Sequence, residues 1–191
     1  MTPRVTTIVN YAAYQAGWFA AVVGAALGHG DVGAALAAAL IGLHLYLARE
    51  RGRELALLAL ATCTGLAVET WQLQTGTYRT LSGAAPAGLP PAWLLALWAQ
   101  FATTFRYSGR SVLARPPAAL LFGALGGPLA FLAGERLGAV TLTTPLWPGL
   151  VRLALGWTAA LALFSWAVRR SPAGDPPTYR VPWRDGPAER E

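Results

Sequence analysis

The chain contains no lysine, one cysteine and two histidines. A lone Cys63 excludes an internal disulfide and any cysteine-based zinc or iron–sulfur site, so the redox compartment cannot be read from it. Charged residues make up 13% of the 191, about half the share in an ordinary soluble domain. A water-soluble fold of this size needs more polar surface. There is no Ser/His/Asp set, zincin motif, multi-histidine iron site or aspartyl pair, and the sequence implies no metal and no cofactor. The glycine-rich runs lack the Lys-Ser/Thr that completes a phosphate loop.

What the chain has is apolar length. Hydrophobic residues are 54% of it, and the net charge of +6 comes entirely from arginine. In a soluble protein that charge would raise the question of nucleic acid; here the arginines stand at the ends of apolar runs instead of forming one patch, and no nucleic-acid partner is expected. The fold class is all-α, a polytopic transmembrane helical bundle of about six helices. Each run approaches the length needed to cross a hydrocarbon core of ~30 Å. The spans lie at about 8–28, 31–48, 55–74, 91–107, 116–133 and 150–168, making residues 1–168 the membrane domain. Residues 169–191, rich in proline and mixed charge, are expected to be a disordered cytoplasmic tail. A cleaved signal peptide is the rival reading of the first run. It would have a shorter apolar region, without Asn10, Tyr14 and Gln15 inside it.

Arginine placement tests this layout independently of hydropathy. With both termini cytoplasmic, twelve of the fifteen arginines fall inside, and only Arg79, Arg136 and Arg152 outside, the asymmetry the positive-inside rule requires. Trp71, Trp93 and Trp147 then lie near the outer boundary and Trp166 near the inner one. Arg106 and Arg110 are expected to snorkel to the inner headgroups.

Small and polar residues at helical spacing mark the faces that point inward. Gly17, Ala21, Gly24 and Gly28 form one stripe, and Gly123, Gly127, Ala130, Gly134 and Gly138 another; both read as close helix packing. The third stripe, Thr62, Gly65, Glu69, Gln72 and Gly76, contains a carboxylate about 21 Å along its helix from Leu55. An ionised residue at mid-membrane costs about 2.5–3.5 kcal/mol, somewhat less off-centre. Glu69 should therefore be protonated, paired or facing a wet cavity. It is either a structural group, hydrogen-bonded between helices or paired with Arg79 or Arg136, or a functional acid/base. Span four offers Trp93, Leu97, Gln100, Thr104 and Tyr107 on one face at matching depth, so Gln72, Trp93, Gln100 and Thr104 are the candidate substrate contacts. Glu135-Arg136 reads as a solvated pair, His44 as a buried, hydrogen-bonded histidine, and Asn10 as a cap or anchor of span one.

Four strings carry a resemblance. They are Asn10-Tyr-Ala-Ala-Tyr-Gln-Ala-Gly-Trp-Phe19, the acidic residue followed by Leu and Gly closing span three, Pro91-Ala-Trp-Leu-Leu-Ala-Leu-Trp-Ala-Gln-Phe-Ala-Thr-Thr104, and Gly123-Ala-Leu-Gly-Gly-Pro-Leu-Ala-Phe-Leu-Ala-Gly134. Together they resemble an uncharacterised family of small bacterial inner-membrane proteins over roughly residues 8–168. The resemblance implies a multi-pass inner-membrane location and a lipid-related setting, since such proteins are often encoded beside enzymes that modify membrane fatty acids. That family's acidic residue is usually Asp, from which Glu69 departs by one methylene. Glu69 with Thr75-Gly76-Thr77-Tyr78 and Pro91-Ala-Trp93 is also similar in outline to a motif of membrane carotenoid hydratases, in which an intramembrane acid protonates a double bond.

Three functions remain open: a protein that handles or modifies membrane lipid or isoprenoid chains, a small-solute-binding subunit of a transporter, or a scaffold without ligand. The corresponding partners are membrane lipids, a hydrophobic or small-molecule ligand, and a cytoplasmic or membrane protein.

Overall fold

The computed structural model describes residues 1–83, 85, 86, 88–170 and 177–180. Seven helices and two short strands follow in the order α1 (Pro3–Ala26), α2 (Gly30–Leu47), α3 (Arg51–Gln74), β1 (Tyr78–Thr80), α4 (Ala92–Ala102), α5 (Arg110–Leu113), α6 (Pro116–Leu137), β2 (Val140–Leu142) and α7 (Leu146–Arg170). Four of them, α2, α3, α6 and α7, are long and apolar enough to cross a membrane. The bundle's surface agrees with that reading. Along α6, Leu121, Leu125 and Leu129 repeat every four residues and are each more than half exposed, an apolar stripe that lipid, not water, would cover.

The glycine stripes are packing seams. A Cβ on Gly33 of α2 would stand 2.7 Å from the Ala20 carbonyl of α1. One on Gly17 would meet the Gln100 side chain at 2.8 Å, and one on Gly123 would meet Thr158 Cα of α7 at the same distance. Only a missing side chain lets these helices approach so closely.

The helix α4 is the shortest of the six main helices and the most enclosed, packed by α1, α2 and α3. It stops at Ala102 where span four had been expected to run to 107. The reason is local. Thr103 Oγ1 and Thr104 Oγ1 donate to the carbonyls of Gln100 and Phe101, both at 2.7 Å, and the backbone tightens to three-residue bonds there. Threonine hydroxyls that take up helix carbonyls weaken the regular ladder.

The strands are an addition to the expected all-helical layout. β1 and β2 pair antiparallel, with Tyr78 opposite Leu142 and Thr80 opposite Val140. Each follows a helix that ends in the same way. After α3, Gly76 takes φ 65°, and the amides of Gly76 and Thr77 bond back to the carbonyls of Leu73 and Gln72. After α6, Gly138 takes φ 85°, with Gly138 and Ala139 bonding to Glu135 and Gly134. This is the glycine-terminated C-cap, and it turns the chain back over the helix it has just left. Glu135 is not a solvated pair with Arg136: its Oε1 accepts the Leu142 amide at 2.8 Å and fastens β2 to α6.

The opposite end of the bundle is closed by a different device. Most of the tail lies outside the described residues, but residues 177–180 cross the ends of α1 and α2. Tyr179, only 3% exposed, stacks on Tyr107, and the Arg180 amide donates to the Leu47 carbonyl.

Candidate binding site around Glu69

Glu69 faces inward on the last turns of α3 and is fully buried. Its two oxygens each accept one hydrogen bond. Tyr78 Oη donates to Oε2 at 2.7 Å, and Trp98 Nε1 donates to Oε1 at 2.9 Å. The reversal at Gly76 is what brings Tyr78 back to a residue nine positions earlier. Among the described residues Glu69 makes no ion pair, so neither Arg79 nor Arg136 is its partner.

Trp98 reaches the carboxyl by lying across α3 at Gly65, one turn before Glu69, where any Cβ would overlap the indole. Its other face stacks on Trp157 of α7, with ring centres 4.6 Å apart. Behind Trp157 lies Gly127 of α6, again with no room for a Cβ. Two stacked indoles are thus clamped between two glycines on α3 and α6. Offset-stacked aromatic pairs contribute about 0.5–1.5 kcal/mol beyond the area they bury.

Beside this stack is a cavity of about 350 Å³, within the size range of small-molecule sites. Its wall includes Glu69, Trp93, Trp98 and Trp157, and it extends between α1 and α6. It is lined from Tyr11 to Val22 on α1 and from Phe122 to Gly134 on α6. At that side its wall is made by Tyr11 of α1 and Phe122 of α6, both about half exposed on the apolar surface of the bundle.

Of the residues read from sequence as substrate contacts, the structure brings Trp93 to this cavity with Glu69. Trp93 is buried rather than at an interface, and its Nε1 donates to the Ser82 carbonyl at 3.1 Å. Gln72, Gln100 and Thr104 lie outside the cavity wall. Gln72 Nε2 donates to the Arg152 carbonyl at 3.0 Å and Gln100 Nε2 to the Ala13 carbonyl at 3.2 Å, each tying two segments together, while Thr104 caps its own helix. Sequence reasoning missed Trp98, Trp157 and the role of Tyr78. The alternation of Tyr78-Arg79-Thr80 and Val140-Thr141-Leu142 was the available signal for the ribbon that positions Tyr78.

A second buried carboxylate lies at the other end of α3. Glu54, 1% exposed, accepts from Arg106 Nη1 at 2.8 Å and bonds His44 Nε2 at 3.1 Å. Arg106 therefore does not snorkel; its other nitrogen, Nη2, donates to Glu50 Oε1 at 2.7 Å. That hydrogen bond holds the Glu50 carboxyl below the usual carboxylate range. His44 Nδ1 bonds Tyr179 Oη at 2.9 Å, and Asn10 Nδ2 donates to the same hydroxyl at 2.9 Å. Asn10 Oδ1 accepts from Ser108. With hydrogen on Nε2 of His44, every group in this chain finds a partner.

The fold and the site together define a multi-helix bundle, compatible with a multi-pass membrane protein, with a carboxylate beside an internal aromatic cavity. Residues 7–163 match the family described as "Protein of unknown function (DUF2878)", and the chain belongs to that family. No curated protein and no solved structure matches it. The likeness to carotenoid hydratases finds no counterpart in these comparisons.

Proposed function

We propose that the protein is a bacterial inner-membrane protein that binds an apolar molecule arriving from the bilayer, with Glu69 holding its polar end or exchanging a proton with it. The observation that carries this reading is the position of the cavity: its wall runs from a buried carboxyl to Tyr11 and Phe122, which are about half exposed on the apolar surfaces of α1 and α6. A water-borne solute would need a mouth at a membrane face; a membrane lipid or isoprenoid needs a lateral one. The arginine asymmetry supports cytoplasmic termini, which puts Glu69 in the outer third of the bilayer. As an acid or base, Glu69 would be oriented by Tyr78 and Trp98, whose two donors fix the carboxyl plane.

The test compares whole-cell lipids in a deletion strain complemented with wild type, Glu69→Gln or Gly126→Phe. Gly126 lines the cavity, and a Cβ there has the Phe122 ring as its nearest neighbour at 3.6 Å, ordinary contact, so a phenylalanine at this position is expected to occupy the cavity. The expected result is a lipid species that wild type restores and neither variant does. Restoration by both variants, in normally inserted protein, would remove the cavity from the function; an unchanged lipid profile in the deletion itself would sink lipid handling.

A further inference from the structure

Two properties of the cavity wall bear on the ligand it would take. Beside Gln15 and the tyrosines the wall holds one carboxyl, Glu69, which has no cation among the described residues. Its apolar content is mostly aromatic: nine of the nineteen lining residues are Tyr, Trp or Phe. No Arg or His lines it.

An aliphatic chain alone calls for neither feature. Leucine and valine would line a hydrocarbon slot equally well, and α6 has leucines to spare on its outer face. Aromatic faces carry negative potential and attract cations, the more so when water is excluded. A carboxylate held by two neutral donors, with no arginine near, completes the same field. Such a site is electrically neutral when Glu69 takes a proton or when a cation enters beside it, and a cation that displaces the proton gains both the carboxylate and the aromatic wall. From these observations the geometry points to an organic cation as the ligand's polar end: a lipophilic amine or quaternary ammonium, its charge on Glu69 and within the aromatic wall around it. This assignment rests on the ligand-binding reading above and narrows it to one chemical class.

Size supports a small head rather than a whole lipid. At about 350 Å³ the cavity is near the lower end of the ~300–1,000 Å³ range of ligand pockets. A longer chain would pass out between α1 and α6. The competing class is a neutral alcohol, because Trp157 Nε1 is buried without an acceptor and a hydroxyl oxygen could supply one.

The experiment uses the full chain purified in neutral-detergent micelles, with protein-free micelles and a denatured sample as controls. Three probes of matched size are titrated against tryptophan fluorescence: benzyltrimethylammonium, its uncharged carbon isostere neopentylbenzene, and 4-phenylbutanol. The expected result is saturable binding of the ammonium at least tenfold tighter than of either neutral probe, with Glu69→Gln abolishing the difference. Equal binding of the isostere or the alcohol would overturn the cationic assignment while leaving the cavity as a ligand site. So would undiminished ammonium binding by a folded Glu69→Gln protein. The comparison among probes is made on wild type, so it stands even if the variant fails to fold. Failure of all three to bind saturably would overturn this assignment and the ligand-binding reading together.

Discussion

Glu54 and Glu69 are the same residue type on the same helix, about 22 Å apart along its axis, and equally buried. Their surroundings differ in one respect. Glu54 is answered from within the chain, by a guanidinium and an imidazole, and that imidazole packs edge-on against Tyr107 and Tyr179. Glu69 receives two neutral donors and abuts open space. Burial of a carboxylate alone says little about its role. Whether the chain supplies the compensating charge separates a structural group from one left available for a ligand.

The contrast can be broken hardest at Arg106. Arg106→Ala leaves Glu54 buried without its cation and should cost about 3–5 kcal/mol, towards the lower figure because Arg106 is 12% exposed. Thermal unfolding in detergent reads it, and removing both charges with Glu54→Leu and Arg106→Leu should recover a large part. Next in size is Gly65→Val, which drives a side chain into Trp98 and should cost about 1–3 kcal/mol by overpacking. It should also change the tryptophan emission, because the stacked pair is displaced. Glu69→Gln keeps one acceptor and leaves one donor facing an amide NH₂, a loss of about 1–2 kcal/mol. A loss as large as that of Arg106→Ala would mean that Glu69 is as structural as Glu54. Tyr78→Phe removes one hydrogen bond, worth about 1 kcal/mol in the same unfolding assay.

The smallest effect concerns pH. Burial pushes the Tyr179 phenol up to about 12, against about 10 in an unfolded chain. A raised pKa on an acid means the folded state favours the neutral phenol. Its contribution is complete below about pH 10 and is lost as pH rises through 12. Tyrosinate absorbance should therefore show a late-titrating phenol that Tyr179→Phe removes. A Tyr179 that titrates with the exposed tyrosines would show that the tail does not close that end of the bundle.

Much of α3 was legible beforehand. Gly65, Glu69 and Gln72 recur at three- and four-residue steps, and all three are buried. The partners were harder to read, for identifiable reasons. Reasoning by face assumes one inward side, which suits a helix at the rim of a bundle. The enclosed α4 has no single inward side, so the face through Trp93, Leu97 and Gln100 omitted Trp98, the residue that binds Glu69. Strands of three residues between helices leave too short an alternation to stand out, which concealed Tyr78. Glu54 stands in the run Arg49-Glu50-Arg51-Gly52-Arg53-Glu54, where charge density suggests a solvated loop. Only the return of Arg106 from a distant turn shows that one member of the run points inward.

The strand pair also sets an order of events. Chains are made from the N-terminus, and Glu69 precedes both its partners, Tyr78 by nine residues and Trp98 by 29. Tyr78 in turn is held by β2, which follows the whole of α6. During synthesis α3 therefore exists for a time with its carboxyl unanswered, Trp98 becomes available near the middle of the chain, and the strand that holds Tyr78 in place comes only after α6. Biogenesis of this protein thus passes through a stage in which a carboxyl destined for full burial has none of its final partners.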